Sequence, residues 1–293
     1  MHLPVLKKEV VEFLEPEQKE FIVDCTADGG GHTVELAKRV RNKVIAIEIE
    51  KELVKLLKER VKKENLEKKV LIVNGDYSDL TKILKKLGLQ KKVDGFLLDL
   101  GFSSWHIEQS GKGFSFLKNE FLDMRYKKEG LSAYELVNRF SEKEIEKILR
   151  DFGQERYAKR IAKKIVQERK EKEIKTTQDL VEIIKKAVPK RYLKGKIHCA
   201  TRTFQALRIF VNQELKNLKK VLPQILEAGR KKSRIVIISF HSLEDRIVKN
   251  FFKEKEKEGI LKILTPKPIK PSLEEIKNNK KSRSAKLRVA EII

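Results

Sequence analysis

The sequence lacks several features that would assign it to common classes of protein. It has two cysteines, Cys25 and Cys199, and they form no CxxC pair. Two thiols cannot make a four-cysteine zinc site, and no other ligand cluster has metal-site spacing, so we expect free, buried thiols and no metal. No apolar run approaches the ~18 residues of a membrane-spanning helix, and the N-terminus shows no secretory signal. We therefore expect a cytoplasmic protein that has no membrane association.

Acidic residues are scarce relative to basic ones. The 293 residues include 67 Lys and Arg against 43 Asp and Glu, a formal net charge of +24. A Lys/Glu-rich surface is typical of heat-adapted proteins, but such surfaces mix both signs, whereas the excess here is one-sided. It indicates a polyanionic partner, and nucleic acid first among them. A hydrophobic content of 40% excludes a disordered chain.

Strand and helix patterns alternate over the first hundred residues. β-rich runs occupy 21–25, 44–47, 70–73 and 93–98, and helical patterns occupy 34–40, 50–61 and 80–87. This alternation predicts right-handed βαβ units and a parallel sheet that is covered on both faces. The pattern resumes late in the chain, with a helix at 203–215 and a strand at 234–240. A basic loop at 267–286 then precedes a last strand at 287–293.

No strand pattern is present between about residue 105 and residue 198. Helix starts in this stretch are marked by Ser132, by Ser141 with Glu144, and by Thr176 with Asp179, which are typical capping residues. We therefore predict a first part of one domain at 1–105, a helical insert for substrate recognition at 106–199, and the second part of the first domain at 200–293.

Four loops follow the first four predicted strands, at the sheet edge where open parallel sheets bind ligands. The first loop contains Gly29, Gly30 and Gly31, which let the backbone approach a ligand next to a helix N-terminus. It contains neither GxGxxG nor GK[ST], which argues against an NAD-dependent dehydrogenase and a phosphate loop. Glu48 after the second strand can accept both hydroxyls of a ribose, and Tyr77 after the third can flank an adenine ring. An adenosine-type ligand is predicted.

Long segments of the chain resemble the RsmH (MraW) family of bacterial S-adenosylmethionine-dependent methyltransferases, which act on N4 of a cytosine in 16S ribosomal RNA. The resemblance is carried by HxPVLxxEV at the start, the GGH loop, LLDLGFSS, GFSF, LDMR at 122–125, FGQERYAKRIAKKI at 152–165, ATRTFQALRIFVNQEL at 200–215, ISFHSLEDRIVK at 238–249 and SAKLRVAE near the end. It implies an α/β, Rossmann-like class I methyltransferase with a mostly parallel sheet and an inserted helical domain.

The resemblance also implies which residues bind S-adenosylmethionine. These are Gly30, Gly31, His32, Glu48, Tyr77, Asp99 and His106. The chain departs from the usual family pattern at a few positions. The family usually has glycine where this chain has Cys25 and Asp28, aspartate where it has Glu48, and Pro-Gln where it has Trp105-His106.

Methylation of cytosine N4 needs the base out of its stack, the amine aligned with the methyl group, and an acceptor for the amine hydrogens. We predict that Asp99, or a neighbouring backbone carbonyl, is that acceptor, and that Phe102 offers a face to the base. The competing interpretation is that Asp99 only contacts the cofactor. The candidates for RNA contact are Arg125, Arg202, Arg208 and His241, although a helix cap by Ser242 and Asp245 would also explain the FHSLED motif.

The predicted partner is 16S rRNA within the small ribosomal subunit, bound by a monomer or a homodimer. Two alternatives remain open. A DNA cytosine-N4 methyltransferase is disfavoured because the D/N/S-P-P motif typical of such enzymes is replaced by Asp99-Leu100-Gly101. A non-catalytic, RNA-binding ribosome assembly factor would keep the fold and the charge without turnover.

Overall fold

A seven-stranded sheet organises the larger of the two units into which the chain divides. The structure, a computed structural model, describes residues 4–293, so His2 of the opening motif lies outside it. The sheet unit comprises the chain up to Ser103 and from Leu215 onward, and the helical unit comprises Ser104–Glu214. The strands are β1 Phe21–Asp24, β2 Lys43–Glu48, β3 Val70–Asn74, β4 Val93–Asp99, β5 Gly229–Ser239, β6 Leu261–Ile263 and β7 Lys286–Ile292.

The strand order is β3-β2-β1-β4-β5-β7-β6. Strands β1 to β5 run parallel to one another, and β7 is antiparallel to both β5 and β6. The six predicted strands are confirmed with shifts at their ends. The sequence analysis missed β6 because three residues, Leu261–Ile263, are too short to show an alternation.

Helices connect the strands and cover the sheet. Along residues 4–293 the α-helices are α1 Lys7–Leu14, α2 Gly31–Ala37, α3 Lys51–Lys63, α4 Leu80–Lys86, α5 Ser104–Glu108, α6 Ala133–Arg139, α7 Glu142–Gly153, α8 Ala158–Glu171, α9 Thr177–Ala187, α10 Lys190–Leu193, α11 Thr201–Val211, α12 Glu214–Ala228, α13 Ser242–Lys257 and α14 Leu273–Asn278. None of them combines the length and hydropathy that crossing a bilayer requires. Helix α14 corrects the expectation of a plain loop at 267–286: Ser272 caps it by accepting from the backbone N–H of Glu275 at 3.1 Å.

The core of the sheet unit lies on both faces of the sheet. Along β4, Leu97 belongs to one buried cluster and Phe96 and Leu98 belong to the other, because successive strand residues point to opposite faces. Residues Val93 to Leu98 are all buried, as expected of a central parallel strand. Cys25 is buried and free, and so is Cys199 in the helical unit, which confirms the expectation for both thiols.

The helical unit has its own apolar core. Complete capping boxes begin α6, α7 and α9 at Ser132, Ser141 and Thr176, as predicted. The unit ends at Glu214, whereas the sequence analysis placed the end of the insert at residue 199. The difference is α11, which packs against the end of α7: a β-carbon on Gly153 would lie 2.5 Å from the carbonyl oxygen of Arg202, so only glycine permits this approach.

Candidate functional site

Acidic residues end three neighbouring strands of the sheet, and two of them, Glu48 and Asp99, are among the predicted site residues. Asp24 is the last residue of β1, Glu48 of β2 and Asp99 of β4. Because these strands are parallel and adjacent, their last residues lie at the same edge of the sheet. The loop after β3 is tied to that edge as well, since the side chain of Asn74 and the backbone N–H of Gly75 donate to the carbonyl oxygen of Glu48 at 2.8 and 2.9 Å. The structure therefore brings the predicted loops of the sheet unit together.

The glycine loop between β1 and α2 requires glycine at one position above all. Gly30 has φ +83°, and a β-carbon there would lie 2.7 Å from Cδ1 of Leu57. Gly29 is different, because a β-carbon there would meet nothing within 4 Å. Asp28 has φ 48°, a left-handed conformation that glycine adopts freely and that aspartate tolerates better than most residues. This conformation accounts for the glycine that the resembling family usually has at this position.

Glu48 is buried, with 5% of its surface exposed. Its Oε2 accepts from the backbone N–H of Asp28 at 2.8 Å, and its Oε1 accepts from that of Glu50 at 2.7 Å. A carboxylate offers about four acceptor sites, and the backbone N–H of Ile49 interacts with this one as well, so the backbone does not fill all of them. Burial raises the pKa of Glu48 to about 7, and burial together with Glu48 raises the pKa of Asp28. Glu48 can therefore still accept from a hydroxyl group at this edge.

A hydrogen-bond network fixes the first loop to the end of β4. Oδ2 of Asp24 accepts from Oγ1 of Thr33 at 2.7 Å, and its Oδ1 accepts from the backbone N–H of Thr26 at 3.2 Å. Oγ1 of Thr26 in turn accepts from the backbone N–H of Asp99 at 2.7 Å. Burial raises the pKa of Asp24. The sequence analysis did not assign a role to these two threonines, since nothing in their spacing indicates which strand ends they join.

Asp99 and His32 face each other in the sheet unit. Nε2 of His32 lies 3.5 Å from Oδ2 of Asp99. Within residues 4–293, neither His32 Nε2 nor Asp99 Oδ1 has a hydrogen-bond partner, although both atoms are buried. Buried polar atoms are nearly always paired, so this pair of free atoms marks a candidate contact for a ligand. Tyr77 begins a short 3₁₀ turn after β3 and is partly exposed at the same edge.

His106 belongs to the helical unit. It is 3% exposed, and the rings of Trp105, Phe114 and Tyr126 lie with their centroids 4.9 to 5.4 Å from its own. Burial lowers its pKa to about 3, so the imidazole is neutral at physiological pH. In the part of the chain that the structure describes, neither of its ring nitrogens has a hydrogen-bond partner. Its implied role as a cofactor contact stays a prediction.

Two of the arginines predicted to contact RNA have carboxylate partners. Nε of Arg125 lies 2.5 Å from Oδ1 of Asp123, and the guanidinium of Arg208 makes two contacts of 2.9 Å with Glu214. These ion pairs give both arginines a structural role in the helical unit, and contact with RNA stays a prediction for them. Arg202 differs: its Nη1 lies 3.5 Å from the carbonyl oxygen of Gln154.

His241 caps α13. Its Nδ1 accepts from the backbone N–H of Glu244 at 3.4 Å, and Oε2 of Glu244 accepts from the backbone N–H of His241 at 3.3 Å. The predicted cap by Ser242 and Asp245 is therefore wrong by one residue. Asp245 instead pairs with Arg288, whose Nε lies 2.6 Å from its Oδ1. A contact between His241 and RNA stays a prediction.

Comparison with known proteins covers the whole chain. The profile of the MraW methylase family matches residues 1–293. The ribosomal RNA small subunit methyltransferase H of Thermosipho melanesiensis is 47% identical over 298 residues, which cover 100% of this chain and 98% of that protein. The protein of the same name from Sulfurihydrogenibium sp. is 45% identical over 290 residues, which cover 98% of each chain.

Solved structures show the fold. A putative rRNA methylase from Clostridium thermocellum matches with a TM-score of 0.50 at 10% identity, covering 100% of both chains. A putative methyltransferase from Streptococcus mutans in complex with SAH matches with a TM-score of 0.50 at 12% identity, again over 100% of both chains. The predicted α/β, Rossmann-like methyltransferase fold is thereby confirmed. Since the family profile spans every residue and relatives exceed 40% identity over nearly their full length, this chain belongs to the MraW methylase family.

Proposed function

We propose that this protein transfers a methyl group from S-adenosylmethionine to the exocyclic N4 amine of a cytidine in 16S rRNA, in the decoding region of the small ribosomal subunit. The observation that carries the proposal is the buried, unpartnered Oδ1 of Asp99 at the end of β4, beside the glycine loop. Membership of the MraW methylase family and the names of the relatives support ribosomal RNA as the substrate. The reaction would take place in the cytoplasm, with the protein acting as a monomer or a homodimer.

The residues at the carboxyl edge of the sheet fit S-adenosylmethionine. Glu48 would accept from the ribose hydroxyls with the acceptor capacity that three backbone N–H groups leave free. The backbone at Gly29 is open, and Gly30 places it at the N-terminus of α2. Tyr77 would lie beside the adenine ring, and Nε2 of His32 supplies a free polar atom. When bound, the cofactor supplies an electrophilic methyl group on a sulfonium.

Asp99 would make the cytosine amine a better nucleophile. The lone pair of that amine is delocalised into the ring, so the amine becomes nucleophilic only as its hydrogens are drawn away. An acceptor at Oδ1 of Asp99 stabilises the positive charge that develops on the nitrogen. Thr26 holds the backbone of Asp99 in place at 2.7 Å, so the carboxylate is already positioned when the base arrives. The proton finally leaves to solvent or to this carboxylate.

The alternatives predict a different substrate or no reaction. A DNA cytosine-N4 methyltransferase would methylate DNA, and the names of the relatives argue against it. An assembly factor without turnover would have no need for a buried carboxylate oxygen that lacks a hydrogen-bond partner, since such an atom costs stability.

Transfer of a labelled methyl group from S-adenosylmethionine tests the proposal. Parallel reactions contain small ribosomal subunits that lack the modification, naked 16S rRNA, and DNA. We expect label in the ribosomal substrate and none in DNA. Label in DNA would replace the proposal by its enzymatic alternative, and binding of RNA without any transfer would leave the assembly factor.

A further inference from the structure

Four arginines of the helical unit lie next to a pair of tyrosines, two of them in the chain and two in space, and the proposed reaction does not use this pair. We call Arg156, Arg160, Arg191 and Arg202 the arginine cluster. The tyrosines are Tyr157, directly before α8, and Tyr192 in α10, and their ring centroids lie 4.8 Å apart in an edge-to-face arrangement. Arg156 precedes the first tyrosine in the chain, and Arg191 precedes the second.

The other two arginines reach the tyrosine pair through space. The guanidinium carbon of Arg160 lies 5.9 Å from the centroid of the Tyr157 ring, a cation–π contact. Arg202 in α11 lies close enough to Tyr192 to interact with its hydroxyl electrostatically and by hydrogen bonding. The chain at the start of α8, helix α10 and helix α11 therefore each carry arginines next to this tyrosine pair.

The acidic residue within this group is turned inward. Glu155 is 3% exposed, and its two oxygens accept from the hydroxyl of Tyr192 at 3.0 and 2.9 Å. Its Oε1 also accepts from the backbone N–H of Tyr157 at 2.9 Å. Glu155 thus fixes both tyrosines, and both of its carboxylate oxygens accept hydrogen bonds from them.

The arginine cluster carries charge that the protein itself does not neutralise. Arg156, Arg160 and Arg191 are exposed and Arg202 is partly exposed. Among the described residues 4–293 none of the four forms an ion pair, in contrast with Arg208, which is held by Glu214. The chain from residue 183 to residue 213 contains no Asp or Glu at all. Guanidinium groups without carboxylate partners, on segments whose tyrosines are in contact, favour an anionic partner.

We infer that the arginine cluster is a docking surface for the phosphodiester backbone of RNA. The inference rests on the proposed function, because it names a second surface for the same RNA substrate. Guanidinium groups match phosphate oxygens with two parallel hydrogen bonds, which lysines cannot make. Contacts of this kind fix the position of an RNA without reading its sequence. The cluster therefore sets where the RNA lies.

The salt dependence of RNA binding tests the inference. The variant changes all four arginines of the cluster to Gln, and the probe is a 16S rRNA transcript titrated with protein over a range of KCl concentrations. Each phosphate contact contributes roughly 0.7 to 0.9 to the slope of log K against log salt. Four lost contacts should therefore reduce the slope by about 3, and weaken binding at least about tenfold at physiological salt.

A matched control removes the same charge from the sheet unit. Lys58, Lys62, Lys63 and Lys68 are exposed and form no ion pair within the described part of the chain. Their joint change to Gln should alter the slope by less than about 1. An equal loss in this control would mean that total charge matters and would overturn a localised surface.

Further measurements separate folding and activity from docking. A variant with Lys at all four positions should recover most of the slope, and the Gln variant should keep its affinity for SAH, since the cluster lies in the other unit. A wild-type slope in a folded Gln variant would refute the docking surface even if methyl transfer is observed. The predicted loss of slope without any methyl transfer would refute the proposed function and leave the docking surface standing. Normal binding to naked RNA with weakened binding to subunits would point to a ribosomal protein and overturn the inference.

Discussion

Replacement of Asp99 by Asn tests the role of this carboxylate in catalysis. The change removes the negative charge and keeps the size of the side chain. The backbone N–H of Asp99 still bonds to Thr26 at 2.7 Å, and Oδ1 has no partner within residues 4–293 to lose. Stability should therefore change by less than about 1 kcal/mol. The charge that develops on the amine loses its acceptor, and losses of this kind cost about 10²- to 10³-fold in kcat, or roughly 3 to 4 kcal/mol.

Single-turnover methyl transfer and calorimetric SAH binding measure the two effects separately. We expect the Asp99→Asn variant to lose about 10²- to 10³-fold in rate, with SAH affinity changed by less than about threefold. Asp79→Asn is a matched control, since Asp79 pairs with Lys220 on the surface of the same unit at 3.0 Å and should have no effect on the rate. Equal losses of rate and SAH affinity would refute the reasoning and make Asp99 a cofactor contact only.

Three further predictions concern the cofactor edge and the packing of the helices. Burial raises the pKa of Glu48 to about 7, and the ionised form accepts the ribose hydroxyls. SAH affinity measured by titration calorimetry should therefore rise with pH up to roughly 8 and then level off. The Glu48→Gln variant should show no such rise. Gly30→Ala should lower the free energy of unfolding, measured by urea denaturation, by about 1 to 3 kcal/mol, because φ is +83° there and the new β-carbon would lie 2.7 Å from a leucine of α3. Gly29→Ala is the control and should not lower it, since a β-carbon there meets nothing within 4 Å. Gly153→Ala places a β-carbon 2.5 Å from the carbonyl oxygen of Arg202, so it should lower the thermal midpoint of the helical unit; an unchanged midpoint would contradict the packing of α7 on α11.

The sheet edge could be predicted from the sequence because its signals are local. An apolar run that ends in an acid, as at Glu48 and Asp99, marks both the strand and the place where its last side chain is presented. The helix starts at Ser141 and Thr176 were also predictable, since capping pairs lie three residues apart. Local patterns of this kind need no knowledge of the tertiary structure.

Features that depend on distant contacts could not be predicted. The end of the helical unit is set by the close approach of Gly153 to α11, and the sequence shows only a glycine among helical residues. The partner of Arg208 is Glu214, six residues away across a helix end, so the arginine looked available for RNA. The cap of α13 shifted by one residue because a His side chain at position 241 can accept a hydrogen bond as Ser242 can.

The position of the methyl group tests the central claim most directly. Small ribosomal subunits that lack the modification are methylated with isotopically labelled S-adenosylmethionine, digested to nucleosides, and analysed by mass spectrometry with chromatographic standards. The account predicts label in N4-methylcytidine alone, because the proposed role of the free Oδ1 of Asp99 is to accept from an amine. Label in 5-methylcytidine or in another nucleoside would contradict it.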